Sequence, residues 1–144
     1  MLRFTDLLVN AGLEPSRVRM LRHQTRAPNG QTPYVLWRDR LPAFEEYQSV
    51  QTLRNRASLA VPIWASFVVP PSGGTLFAGI YSAERDGVAD AGWIDPLFGV
   101  AGASLTRDGL DRYRTARAIE LEGYIGRLWI EWGAGARSWV QRPD

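Results

Sequence analysis

One stretch constrains the fold more than any other. Ile63-Trp64-Ala65-Ser66-Phe67-Val68-Val69 is β-branched and aromatic, Thr75-Leu76-Phe77-Ala78-Gly79-Ile80-Tyr81 is a second run of similar character, and Pro70-Pro71-Ser72-Gly73-Gly74 separates them. Such residues suit a pleated, half-buried surface, and a Pro/Gly cluster turns the chain. A β-hairpin satisfies both halves of the pattern. A lone hairpin is marginal in water, so other segments must supply further strands and a cover.

Candidates for both are legible. Arg17 to His23 alternates imperfectly between charged and apolar residues, as a half-buried strand with an outward arginine face would. Arg112 to Leu121, Arg127 to Trp132 and Arg137 to Arg142 read as three more strands, with Gly133 and Gly135 turning the chain between the last two. Phe4, Leu7, Leu8 and Ala11 fall at i, i+3, i+4 and i+7, predicting a short amphipathic helix closed by Gly12. Pro28, Asn29 and Gly30 break the chain. Thr32-Pro33 is a good N-cap and N1 pair for a helix over Tyr34 to Arg40, and Pro42 opens another. That second helix puts Phe44, Tyr47, Gln48 and Gln51 on one side and turns Glu45 and Glu46 towards solvent. Residues 86 to 102, rich in Gly, Ala and Asp with Trp93 and Phe98 embedded, predict a long partly ordered loop. The expected fold class is α+β: a small curved, mostly antiparallel sheet or partial β-barrel with the N-terminal helices packed on one side of it. Residues 1–144 form one domain in this reading, without internal repeats.

Composition narrows the function. A 144-residue chain with 45% hydrophobic and 22% charged residues has the make-up of a folded domain rather than a disordered one. No apolar run reaches the ~18 residues that a membrane span needs, and the N-terminus lacks the pattern of a signal peptide. No membrane partner and a cytoplasmic location are the expectations. Cysteine is absent, which excludes disulfides, cysteine nucleophiles and thiolate metal sites. All 17 basic residues are arginine, so a P-loop lysine, a Schiff-base lysine and a lysine-bearing nuclease triad are excluded as well. His23 is the sole histidine. The spacing of Asp86, Asp90 and Asp95 does not match a calcium loop, so neither a metal nor a cofactor is expected.

Gly79-Ile80-Tyr81 and Tyr124-Ile125-Gly126 spell the signature of GIY-YIG nucleases. In those enzymes the tripeptides occupy neighbouring strands of one short hairpin, whereas here residues 82 to 123 intervene. The match is a coincidence of letters, and no catalytic centre is expected in the chain.

Nucleic-acid binding has better support. A DNA reader needs guanidinium or amide donors along the phosphates and at base edges. Arg22, His23, Gln24, Thr25 and Arg26 cluster at a strand end; Arg54 and Arg56 flank Asn55; Arg137 and Ser138 precede Trp139, with Arg142 beyond. Gln48 and Gln51 add amides from the second helix. Six Trp and five Tyr are also many for so small a core. Trp64 and Ser66 share a strand face, Tyr81 lies near the end of the hairpin partner, and the helices bearing Tyr34, Trp37 and Tyr47 can cover them. Tyr47, Trp64, Ser66 and Tyr81 are the expected walls of a pocket for a flipped base.

Taken together, Leu21-Arg22-His23-Gln24, Pro33-Tyr34, Leu36-Trp37-Arg38-Asp39, Phe44 to Gln48, Trp64-Ala65-Ser66-Phe67, Thr75-Leu76-Phe77 and Arg137-Ser138-Trp139-Val140-Gln141 resemble a known type of domain. It is the N-terminal domain that precedes the catalytic domain in actinobacterial GIY-YIG nuclease family proteins. The resemblance covers nearly the whole chain. It implies a non-catalytic recognition module of the PUA-like kind, with the nuclease domain following residue 144 in a longer protein. It further implies modification-dependent restriction, with double-stranded DNA carrying 5-methylcytosine or a relative as the partner. The alternative is a protein-interaction or small-ligand regulatory domain with an aromatic pocket, in which the arginines would be scattered and paired with Asp108, Asp111 and Glu120. A stand-alone nuclease, which would cleave DNA with a metal, is the third reading and is expected to fail.

Overall fold

The computed structural model describes residues 3–132 and 139–143. Three helices and seven strands follow in the order α1 (Phe4–Asn10), β1 (Val18–His23), α2 (Pro33–Asp39), α3 (Leu41–Ser49), β2 (Val50–Thr52), β3 (Ile63–Val68), β4 (Thr75–Val88), β5 (Leu110–Ala118), β6 (Trp129–Ile130) and β7 (Val140–Gln141). The strands form one curled, half-barrel sheet in the order β2-β5-β4-β3-β1-β7, with β6 also paired to β4. The α+β class with a partial barrel is therefore observed.

The hairpin β3–β4 is the centre of the sheet. Trp64 stands opposite Tyr81 and Ser66 opposite Gly79, and the register then slips so that Phe67 faces Phe77. Gly79 sits at that slip with φ +142°, a conformation that side-chain-bearing residues rarely adopt. The glycine of the apparent nuclease tripeptide thus serves a β-bulge. Trp64 to Val68 are all buried, because both faces of this strand are covered. On one face α2 and α3 bring Leu36 and Phe44 against Val68, Leu76 and Ala78. On the other, Leu8 of α1 joins Val18, Met20, Phe67 and Phe77. The helices therefore do not all lie on one side, as the sequence pattern had suggested: α1 supplies the second cover.

Local chemistry sets the helix starts. The Thr32 hydroxyl accepts the Val35 amide at 3.3 Å, and Pro33 and Pro42 occupy early positions where a missing N–H costs nothing. One parallel pair departs from simple meander topology. β1 runs alongside β3 from Val18↔Ile63 to His23↔Val68, and the crossover between them carries α2, α3 and β2. This crossover puts the C-terminal end of β1 beside the C-terminal end of α3.

Several boundaries differ from the sequence reading. β4 runs on to Val88, so the long loop begins after it, and β5 starts at Leu110 and stops at Ala118. Of residues 127–132 only Trp129–Ile130 form a strand, and of the last segment only Val140–Gln141. Glu45 and Glu46 do not face away towards solvent. Glu45 accepts the Tyr81 hydroxyl at 2.7 Å, while Glu46 accepts the Trp93 indole at 2.6 Å and pairs with Arg112 at 2.9 Å. Their face of α3 turns to β4, β5 and the 93–105 loop because those elements hold matching donors. No helix among the described residues is long and apolar enough to cross a membrane.

Candidate functional site

A cleft of about 450 Å³ opens where β1 ends, beside the α3–β2 junction. Its size falls within the range of small-ligand sites. Arg22, His23, Gln24 and Thr25 enter from β1, and Tyr47, Val50, Gln51 and Thr52 from α3 and β2. The turn after β2 adds Arg54 and Asn55. Trp93, Asp95, Phe98 and Leu105 come from the loop between β4 and β5, and Trp139 closes the wall ahead of β7. The site therefore combines aromatic rings with guanidinium, amide and carboxylate groups.

The rings are held in place. Trp93 is tied by its indole to Glu46, and the backbone of Gly102 lies so close that a Cβ there would come within 2.6 Å of the Trp93 ring. Asp95 accepts the amides of Leu97 and Phe98 at 2.7 and 3.1 Å, which fixes the turn that delivers Phe98. Burial pushes the Asp95 carboxyl above its usual range, against those two amides. Tyr47 stacks edge-on to His23, with ring centroids 5.7 Å apart, and burial pushes its hydroxyl up to about 12.

A buried polar chain supports His23 from behind. Its Nε2 lies 2.9 Å from Gln48 Oε1, which also accepts the Ser66 hydroxyl. Gln48 and Ser66 are fully buried, and the Nε2 of Gln48 has no partner among the described residues. Desolvation lowers the His23 pKa to about 4, with the Gln48 contact opposing the shift, so the ring is neutral at pH 7. Because a carbonyl oxygen only accepts, the proton belongs on Nε2 and Nδ1 keeps its lone pair.

The expected site residues divide into three sets. Arg22, His23, Gln24, Tyr47, Gln51 and Arg54 meet at the cleft, and exposed Arg26 follows just beyond Thr25. Arg22 is only partly available: its guanidinium lies 4.8 Å over the Trp132 ring, and burial lowers its pKa. A second set packs elsewhere. Trp64 is buried, donates to the Leu59 carbonyl at 3.4 Å and stacks edge-on with Tyr113; Tyr81 is buried and spent on Glu45. Ser66 is spent on Gln48, and Gln48, expected to contact DNA, is itself buried behind His23, so none of these four lines the cleft. The reason is that each has its own cover: Leu59 and Tyr113 close over Trp64, Gln48 of α3 over Ser66, and Glu45 of α3 holds Tyr81 beside a separate opening between α3 and β5.

Arg56 also departs from expectation. It grips buried Asp111 with two bonds of 2.8 Å, and Arg85 meets the same carboxylate at 3.0 Å, so this cluster ties the 53–56 turn to β4 and β5. Arg142 lies away from the cleft, with Arg19 at the β1–β7 edge. Arg137 and Ser138 lie outside the described residues. Trp93 and Phe98 join the site although the sequence pattern does not assign them to it; two large rings inside a Gly/Asp-rich loop are the signal. Among the described residues no group of three or more His, Asp and Glu side chains is placed to hold a metal. No known family model, curated protein or solved structure matches the chain.

Proposed function

We propose that the chain is the non-catalytic recognition module of a restriction-type endonuclease, and that the cleft receives a base turned out of duplex DNA. The observation that carries this reading is the composition of one opening: Tyr47, Trp93, Phe98 and Trp139 supply rings, while Arg22, Gln24, Thr25, Arg54 and Asn55 supply donors around them. An extruded base needs stacking surfaces and edge-reading groups, and its flanking phosphates need cations at the rim. Gln51 and Asp95 add acceptors, so both a donor edge and an acceptor edge can be met. The family resemblance of the sequence points to 5-methylcytosine or a related mark, to a PUA-like fold, to a GIY-YIG nuclease domain in the same full-length protein and to a cytoplasmic setting.

A gel-shift series with one duplex sequence, methylated and unmethylated, tests the reading. The methylated duplex should bind about tenfold or more tighter, a difference of about 1.4 kcal/mol. Trp93→Ala should remove that preference. Equal weak binding to both duplexes would eliminate the recognition of a modification, and no binding at low salt would eliminate DNA. A specific observation supports a second reading, a domain for a small ligand or a peptide. Arg54 pairs with Asp108 at 3.0 Å and Arg56 with Asp111 at 2.8 Å, which removes two arginines from a continuous basic face. In that case free nucleosides or short peptides would raise the melting temperature, and duplexes of either kind would not.

A further inference from the structure

The edge of the sheet carries an arrangement that the cleft does not use. β7 pairs with β1 in the register Met20↔Gln141 and Leu21↔Val140. One step further along this antiparallel ladder, Arg142 falls opposite Arg19. Directly opposed like charges destabilise a strand pair. Elsewhere the same sheet avoids them: Glu84 stands opposite Arg114, and Arg56 and Arg85 share Asp111.

Among the described residues no acidic group neutralises this pair. Arg19 and Arg142 border a cleft of about 360 Å³ whose other walls are Ala57, Ser58, Val140 and Gln141, none of them acidic. Three other clefts each contain a carboxylate, from Asp95, from Glu45, Glu46 and Asp86, or from Glu84. Arg19 gives one N–H to the Val18 carbonyl at 3.2 Å and has no acidic partner among the described residues; neither has Arg142. Two planar guanidinium forks, a hydroxyl and an amide, around a cavity whose described walls carry no acid, make a donor set suited to an oxyanion. Burial and the neighbouring Arg142 both lower the Arg19 pKa, the direction expected where a counter-anion would relieve repulsion.

We propose that Arg19, Arg142, Ser58 and Gln141 form a phosphate-binding site at the β1–β7 edge. Resting on the DNA reading above, it takes a backbone phosphate of the same duplex whose base enters the cleft. Strand alternation puts Arg19 on the same sheet face as His23, four residues and about 13 Å along β1, which corresponds to roughly four base-pair rises. A phosphate held there lies about four base pairs along the duplex from the extruded nucleotide.

Two measurements on the whole chain test this. First, inorganic phosphate is titrated while the melting temperature and the amide NMR shifts of residues 57–58 and 140–142 are followed. Wild type should show a saturable response and a raised melting temperature, and Arg19→Gln/Arg142→Gln should show neither. Circular dichroism of the double variant verifies its fold, and Arg142→Gln alone, at the exposed end of a short strand, serves if the double variant is unfolded. An equal response in wild type and variants would overturn the site. Second, duplex affinity is measured against salt, where losing two phosphate contacts should make the slope of log K against log[salt] shallower by about 2. An unchanged slope alongside a lost phosphate response would assign the site to free phosphate and overturn its duplex role. Failure of wild type to bind any duplex would strike the proposed function, while the phosphate site would stand or fall on the first measurement.

Discussion

His23 shows how one side chain links folding to the site. Its imidazole is buried between Phe44, Tyr47, Trp139 and the Gln48 amide, and its pKa falls to about 4 from an ordinary 6.5. Above pH 6.5 both folded and unfolded chains hold it neutral, and it adds no pH dependence. Between pH 6.5 and 4 the unfolded chain takes up a proton that the folded chain refuses, so stability falls as pH falls. The full loss is about 3 kcal/mol, levelling off below pH 4. Urea unfolding of wild type and His23→Gln across pH 7 to 4 should show that extra decline in wild type alone; parallel curves would mean that the ring is solvated. Two neighbouring arginines separate binding from stability in the same way. Arg54, 72% exposed, pairs with Asp108 at the surface, where such a contact contributes little. Arg54→Gln should leave the melting temperature unchanged and make the salt slope of duplex binding shallower by about 0.9. Asp111 has no exposed side-chain surface and holds Arg56 and Arg85, which are 44% and 38% exposed. Asp111→Asn should cost about 2 kcal/mol, less than a fully buried pair because water reaches both guanidiniums, with the salt slope unaltered. A calorimetric scan with a salt titration on each variant reads both quantities.

Among the elements, the loop between β4 and β5 is the one whose packing the cleft depends on. Gly102 is buried beneath Trp93, and a Cβ added there would lie 2.6 Å from the Trp93 ring and 2.8 Å from Leu110. Gly102→Ala must therefore push the ring aside or strain the loop, a cost of about 1–3 kcal/mol. The variant should lose stability and, because Trp93 forms a wall, lose the preference for a methylated duplex; a crystal structure with Trp93 in its original place would refute this coupling. Such dependence on distant packing marks the limit of what the sequence can show. The hairpin, β1, α1 and the Thr32-Pro33 helix start were legible because hydrophobic period, β-branched runs and caps are local signals. β2 was missed because Val50–Thr52 is too short to show a period, and its pairing with β5 joins residues some sixty positions apart. Glu45 and Glu46 were given to solvent for the same reason. Nothing local announces that Tyr81, Trp93 and Arg112 will arrive opposite them.

At the scale of the whole molecule, the sheet is wrapped on both faces, and the cleft is assembled from four separated segments at one end of β1. Arg22, His23 and Gln24 were legible as a site because they are consecutive at a strand end. Trp64 and Tyr81 were misplaced because an aromatic strand face looks the same in sequence whether a helix or solvent covers it. The electrostatics follow a similar division. A net charge of +2 gives little long-range steering, and many arginines are committed to ion pairs: Arg38 to Asp39, Arg56 and Arg85 to Asp111, Arg112 to Glu46 and Arg114 to Glu84 and Asp86. Phosphate contacts in the proposed complex are therefore few. Arg26 lies at the edge of the cleft, Arg54 borders it and can exchange its exposed partner Asp108 for a phosphate, and Arg19 and Arg142 hold the sheet edge. Roughly four phosphates imply a slope of log K against log[salt] between about −3 and −4, and a loss of affinity on the order of 100-fold between 50 and 200 mM salt. Fluorescence anisotropy with a labelled duplex over that range measures it. A flat profile would mean that the arginines do not meet phosphates at all. A slope near −8 would require a basic face much broader than these four side chains, and would place the duplex across a different surface of the molecule.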